Sequence, residues 1–220
     1  MGRKFLVNID RVEESLREVQ RNFASINASL DDSRDPMRDI IVDNMMAGYR
    51  YLNELLRENI SLLRREGLHH LLELNHIVLC GTDPRMRIEC QKHIDATTER
   101  FYKQQEFCIS DIREWAENHK DDSPWKRAAG VYVMHISQPQ LFFEGNHRTG
   151  SLLMSSILVR HNKPPFVLSV ENAKAYFDPS SLAKKTNKDF FGKYYILPKI
   201  KRNFGQFLEK QANPAFLLSR

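Results

Sequence analysis

Between Gln140 and Gly150 the chain reads Gln-Leu-Phe-Phe-Glu-Gly-Asn-His-Arg-Thr-Gly, a stretch whose polar groups have no packing reason to be together. Glu144, Asn146 and Arg148 alternate along a short loop, so they can converge on one small volume. Gly145 lets the backbone turn there or approach a ligand closely. A helix expected to begin near Arg148 would direct its free N–H groups and its positive dipole end into the same volume. That combination binds anions. Arg148 adds a bidentate phosphate donor, Asn146 an amide donor, and Glu144 a hard oxygen ligand of the kind Mg²⁺ takes beside substrate phosphates. The same spacing also fits a plainer arrangement, a capping turn in which Asn146 caps the helix and Glu144 pairs with Arg148. Phe142 is expected to point inward and anchor the loop.

Helical signals dominate the elements that would position this loop. Asp10 is a candidate cap for a helix to about Phe23, with Val12, Leu16 and Val19 on one face. Asp35-Pro36 reads as a cap followed by proline at the first helical position. A long helix to about Asn59 should follow, with Ile40, Ile41, Met45, Tyr49, Leu52 and Leu56 at helical spacing. Leu68–Leu79 reads as a helix ended by Gly81 and Pro84, and Ile94–Tyr102 and Ile109–Trp115 continue the pattern. Ser123-Pro124 opens a run to Ile136 that is apolar almost all round, the mark of a central helix. A second apolar helix, Thr149–Val159, follows the loop and is broken at Asn162-Lys-Pro-Pro. Ser169 and Asp178-Pro179 look like caps of shorter helices, Ile200–Leu208 like a final one, and Phe166–Val170 like a short extended piece. Gly81–Cys90 is hairpin-like. The expectation is an all-α fold with at most one small hairpin: residues 1–60 a helical extension, 61–170 the core, 171–220 a basic helical segment packed on it.

Apolar residues make up 41% and aromatics 10% of the 220 residues, which excludes a disordered chain. There is no N-terminal apolar run for a signal peptide and no stretch long enough to span a membrane. Three dispersed cysteines without a CxxC suit a reducing cytoplasm. From His161 onward there are 11 Lys/Arg against 4 Asp/Glu, so the net charge of +5 comes from the C-terminal segment. A basic segment can attract nucleic acid, acidic lipid or nucleotide, and is also an ordinary solvated face.

The loop resembles the signature of the Fic family, His-x-Phe-x-Asp/Glu-Gly-Asn-Gly-Arg-x-x-Arg. Phe142, Glu144, Gly145, Asn146 and Arg148 stand at matching positions, and Thr149-Gly150 continues as in many members. Leu74-Asn75-His76, Cys80-Gly81, Asp83-Pro84-Arg85 and Arg87 resemble the entry to the family's core and its target-docking flap. The likeness covers about Leu68 to Val170. It implies a helical Fido fold, with ATP and Mg²⁺ as cofactors and AMP transfer to a protein hydroxyl as the usual activity. The implied roles are Glu144 for metal, Asn146 and Arg148 for phosphates, and Gly145 with nearby N–H groups for the anion hole. A protein target or partner would dock near Gly81–Cys90, in an inactive module by strand addition.

Three positions depart from the signature. Gln140 stands where the family has its general-base histidine, and an amide cannot take a proton near neutral pH; a positioned base contributes ~10²–10⁴-fold. Phosphoryl-type transfer leans on positioning and charge stabilisation, so weak transfer and pure binding both remain consistent with the sequence. His147 replaces the second glycine, as a larger residue does in the kinase-like Doc branch, and is a candidate phosphate contact or substitute base as well as an ordinary loop histidine. Ser151 replaces the second arginine, which leaves a reversed nucleotide open. The family's inhibitory motif is not found. Outside the loop, His76 and Cys80 share a helix face without a second ligand pair. His135 reads as a core histidine or an alternative base. Trp115, Trp125, Phe190, Phe191, Tyr194 and Tyr195 read most simply as core. Lys184, Lys185, Lys188, Lys193, Lys199, Lys201 and Arg202, interleaved with aromatics, are a weaker nucleic-acid candidate.

Overall fold

The computed structural model describes residues 5–103 and 107–219. The first four residues, part of the stretch read for a signal peptide, lie outside them. The chain is all-α. In order come β1 (Phe5–Val7), α1 (Ile9–Arg21), α2 (Phe23–Ser29), α3 (Asp39–Arg57), α4 (Leu68–Cys80), α5 (Pro84–Glu89), α6 (Gln91–Lys103) and α7 (Ile109–Asn118). Then follow α8 (Pro124–Ile136), α9 (Asn146–Arg160), α10 (Ala173–Lys185), a π turn (Gly192–Ile196), α11 (Leu197–Lys210) and β2 (Leu217–Ser219). No helix among the described residues is long and apolar enough to cross a membrane.

Helix α8 is the axis of the core, with α9 on one side and α11 on another. Ser123 accepts from the Lys126 N–H and Pro124 takes the first turn, so the start is set locally. Val131, Tyr132, Val133 and Ile136 are sealed from solvent, as are Leu152, Leu153, Met154 and Leu158 of α9. The N-terminal helices share this core: Val12, Leu16, Met46 and Tyr49 pack into the same cluster as Leu152 and Phe166, and the Tyr49 hydroxyl donates to the Phe166 carbonyl at 2.9 Å.

Several local signals read differently in three dimensions. Asn8, not Asp10, caps α1. Asp35-Pro36 does not start α3, which begins at Asp39. Residues 31–38 instead run as a strap over α10. Asn27 and Arg34 exchange side-chain-to-backbone hydrogen bonds of 2.8 and 3.0 Å, and the Arg34 guanidinium donates to Ser181 Oγ at 2.7 Å. Asp178-Pro179 does not open a new helix either. α10 runs through it, because Tyr176, Ser180 and Ala183 bury one face on both sides of the proline.

The expected hairpin at Gly81–Cys90 is α5. Gly81, at φ +69°, ends α4, and Asp83 accepts from the Arg85 N–H at 2.7 Å while Pro84 opens the helix. Strand addition there has no edge to join. The small sheet lies elsewhere: β1 and β2 pair antiparallel, with Leu6 opposite Leu218, and tie together the two ends of the described chain. Phe166–Val170 forms no strand.

Candidate functional site

The loop from Ser137 to Gly145 joins the two most buried helices, and its shape is fixed from outside. Gln138 makes a parallel bridge with Asn187, through Gln138 N–H to Thr186 O (2.9 Å) and Lys188 N–H to Gln138 O (2.7 Å). The Lys188 ammonium donates to the carbonyls of Ser137 and of Pro139 (2.7 Å), and Arg100 donates to the Gln140 carbonyl at 2.9 Å. Phe142 is buried as expected, stacked on Phe101 with centroids 5.5 Å apart. Asn75 donates to the Glu144 carbonyl and to Thr149 Oγ1, each at 3.0 Å.

Gly145 sits at φ +72°, ψ 4°, the left-handed region that L side chains avoid. A Cβ there would lie 2.9 Å from Asn75 Nδ2 and 3.1 Å from Leu79 Cγ. Gly145 is also the N-cap of α9, and the first helical bond runs from Thr149 N–H to its carbonyl at 2.8 Å. The N–H groups of Asn146, His147 and Arg148 therefore have no helical acceptor behind them.

A cavity of about 410 Å³ opens beside this turn, within the range of small-molecule sites. Gln140, Glu144, Gly145, Asn146, His147, Arg148 and Ser151 all line it. The other walls come from distant sequence. Leu16, Met45, Tyr49, Phe166 and Phe177 supply an apolar side, and Arg34, Asp35 and Lys184 add polar groups. Of these only Lys184 was read as a candidate, and for nucleic acid; the rest were not legible as site residues, because no motif marks them and over a hundred positions separate the strap from the loop.

The plainer alternative of a capping turn closed by an ion pair is not what forms. The cap makes no side-chain hydrogen bond, and Glu144 and Arg148 make no salt bridge. Glu144 is exposed. Arg148 is largely buried and donates to the Val78 carbonyl; burial lowers its pKa, and the Glu144 carboxylate partly offsets this. The Asn146 amide is committed to the loop. Its Oδ1 accepts from Phe142 N–H at 3.1 Å, and its Nδ2 donates to the Phe142 carbonyl at 2.8 Å and to Gln140 Oε1 at 3.4 Å. Gln140 Nε2 in turn donates to the Ile136 carbonyl at 2.8 Å, so both ends of that amide serve the loop. Ser151 Oγ donates to the Arg148 carbonyl at 2.8 Å.

Burial pushes His147 down to about 3, helped by the Arg34 and Lys184 charges, so the imidazole is neutral near neutral pH. Its Nδ1 lies 3.1 Å from the Tyr132 hydroxyl, and its Nε2 has no partner. It offers phosphate no positive charge and is a weak base. His135 is also pushed to about 3, by burial and then by Lys188. It packs edge-on against Phe142 and does not line the cavity, as befits a core residue.

His76 Nδ1 lies 3.7 Å from Glu73, and burial followed by Cys90 pushes the Cys80 thiol up to about 12. Among the described residues no group of three or more His, Cys, Asp and Glu is placed to hold a metal. The basic segment is not one continuous face. Lys188 is buried with its ammonium 3.6 Å from the Phe107 ring centroid, Lys201 lies over Trp115 at 4.6 Å, and Lys185 pairs with Asp32 at 2.6 Å. Phe190, Phe191, Tyr194 and Tyr195, expected in the core, are 61–72% exposed.

No family model matches the chain, and no curated protein matches it. Among solved structures it is similar to a fragment of Fic-1 from C. elegans, at 21% identity and a TM-score of 0.48, over 92% of this chain and 59% of that one. The same fragment carrying one substitution gives 21% and 0.48, over 90% and 61%. The chain thus spans about three fifths of the length of the solved structures it matches.

Proposed function

We propose that this chain is a Fic-like protein that binds a Mg²⁺–nucleoside triphosphate in the cavity beside the Ser137–Gly145 loop. Transfer of AMP or phosphate to a protein hydroxyl would be weak or altered. One observation carries the reading: the signature-like polar residues line a single cavity of ligand size, with Glu144 and Arg148 not consumed by each other. Arg148 and the free N–H groups of Asn146, His147 and Arg148 supply the anion site. Asn146 contributes by holding the turn. The apolar wall of Leu16, Met45, Tyr49, Phe166 and Phe177 suits a base and ribose.

Mg²⁺ binds through one or two carboxylates together with substrate phosphates, so no larger acidic cluster is needed. Glu144 and Asp35 line the same cavity and fit a cation that arrives with the nucleotide, where it would neutralise phosphate charge. Weak transfer follows from the loop. The Gln140 amide is bound at both ends and is no base, and His147 and His135 sit near 3. Titration calorimetry with ATP and Mg²⁺ tests the pocket. Binding is expected, and it should weaken sharply in Arg148→Ala; binding unchanged by both Arg148→Ala and Glu144→Ala would reject the assignment.

A further inference from the structure

The helix that ends in α11 begins at Phe190; its first turns bury Gly192 against the chain and turn four aromatic side chains to solvent. Phe190, Phe191, Tyr194 and Tyr195 are 72, 61, 67 and 62% exposed. Folded chains rarely leave so much contiguous apolar surface without a partner. The rings touch one another: Phe191 stacks on Tyr195 with centroids 5.3 Å apart, and Phe190 lies 5.0 Å from Tyr194. The turn beneath them is π-helical, held at its start by Asp189, whose carboxylate accepts from Gly192 N–H at 2.7 Å. Such turns often mark functional positions.

Charge says what the rings face. Helical spacing carries the Phe191–Tyr195 stripe on to Lys199 and then Arg202. Both are exposed, as is Lys193 between the aromatic pairs. None of the three takes part in a salt bridge among the described residues. The acidic residue of this stretch, Asp189, is engaged as the cap. A second copy of the chain would set these cations against each other. Single-stranded nucleic acid needs free ring faces along a groove, whereas these rings are paired with one another. A bilayer asks for what is present: aromatic rings at headgroup depth, with cations beside them against lipid phosphates and serine carboxylates.

We infer that the Phe190–Arg202 face is a peripheral docking surface for an anionic lipid bilayer. It is independent of the nucleotide reading, because none of these residues lines the cavity.

The test is co-sedimentation of the full chain with vesicles of phosphatidylcholine and phosphatidylserine, against pure phosphatidylcholine, at low and high salt. Partitioning is expected to be at least about tenfold stronger on the anionic vesicles and to fall with salt. The double variant Phe191→Ser, Tyr195→Ser and the double variant Lys199→Glu, Arg202→Glu should each lose about tenfold or more. All four residues are exposed, so thermal melts of both variants should match the unaltered chain. Absence of binding to anionic vesicles overturns the proposal, as does binding that both variants retain. Tighter binding to single-stranded DNA than to vesicles, or a dimer abolished by the aromatic variant, would also overturn it, in favour of a nucleic-acid or self-association face.

Discussion

Arg148 is the residue on which the anion site turns. Its guanidinium is partly spent on the Val78 carbonyl, yet it lines the cavity with Glu144 near enough to be felt but in no direct salt bridge with it. Charge-assisted hydrogen bonds contribute about 1.5–3 kcal/mol. Arg148→Ala should therefore weaken Mg²⁺–ATP by about tenfold to a hundredfold in calorimetry. Because the Val78 carbonyl loses its donor, the free protein should also lose about 1–3 kcal/mol of stability, so binding is compared well below the variant's melting temperature. Gln140 tests the chemistry separately. If the site is otherwise intact, Gln140→His should raise labelled AMP transfer to a protein substrate by ~10²–10⁴-fold, the usual worth of a positioned base. No gain, with ATP binding preserved, would mean that the loop does not present residue 140 to a reacting hydroxyl.

At the scale of elements, the site depends on how closely α7 and α9 approach α8. Gly130 of α8 lies under the Trp115 ring, and a Cβ there would fall 1.8 Å from its Cη2. Gly130→Ala is expected to cost about 1–3 kcal/mol of unfolding free energy, because Trp115 and α7 must shift. Gly205 of α11 is the contrast. Its added Cβ would meet nothing closer than 3.4 Å, so Gly205→Ala should be neutral or gain up to about 1 kcal/mol of helix propensity. Urea unfolding of the pair measures both. Elements also explain where local signals misled. Asp35-Pro36 and Asp178-Pro179 carry the same cap-then-proline pattern as Ser123-Pro124. Only the last opens a helix at its proline, because the first is bound into a strap and the second is carried through by a buried face.

For the whole molecule, two histidines held neutral by their surroundings, His135 in the core and His147 at the cavity wall, contribute to the response to acid. His135 and His147 have folded pKa values near 3, below the ordinary 6.5 that holds once the chain unfolds. Between those limits the unfolded chain binds protons that the folded one refuses. The contribution of these two histidines is therefore full above about 6.5 and is lost as pH drops, by about 1.4 kcal/mol per unit for each. His135 is sealed in the core against Phe142, with the Asn146 backbone as its polar neighbour, so an apolar side chain can take its place. His135→Leu should flatten the loss of stability between pH 6 and 4, read as melting temperature against pH, by about half.

The sequence by itself determined what is local. Val12, Leu16 and Val19 recur at helical spacing, Ser123-Pro124 opens α8, and Gly81 closes α4; each acts within a turn or two of its own position. It also determined the one loop where Glu144, Gly145 and Arg148 had to share a volume, because alternation along a short turn leaves them nowhere else to go. Only the tertiary structure decided which side chains remain free. Asn146 is absorbed by the Phe142 backbone, His147 is neutralised by burial, and Arg34 and Asp35 arrive at the cavity on the strap. It likewise decided that Phe190 and Tyr194 stand in solvent while Lys188 is buried. Burial and hydrogen-bond partnership are properties of neighbours brought together by packing, and spacing along the chain does not encode them.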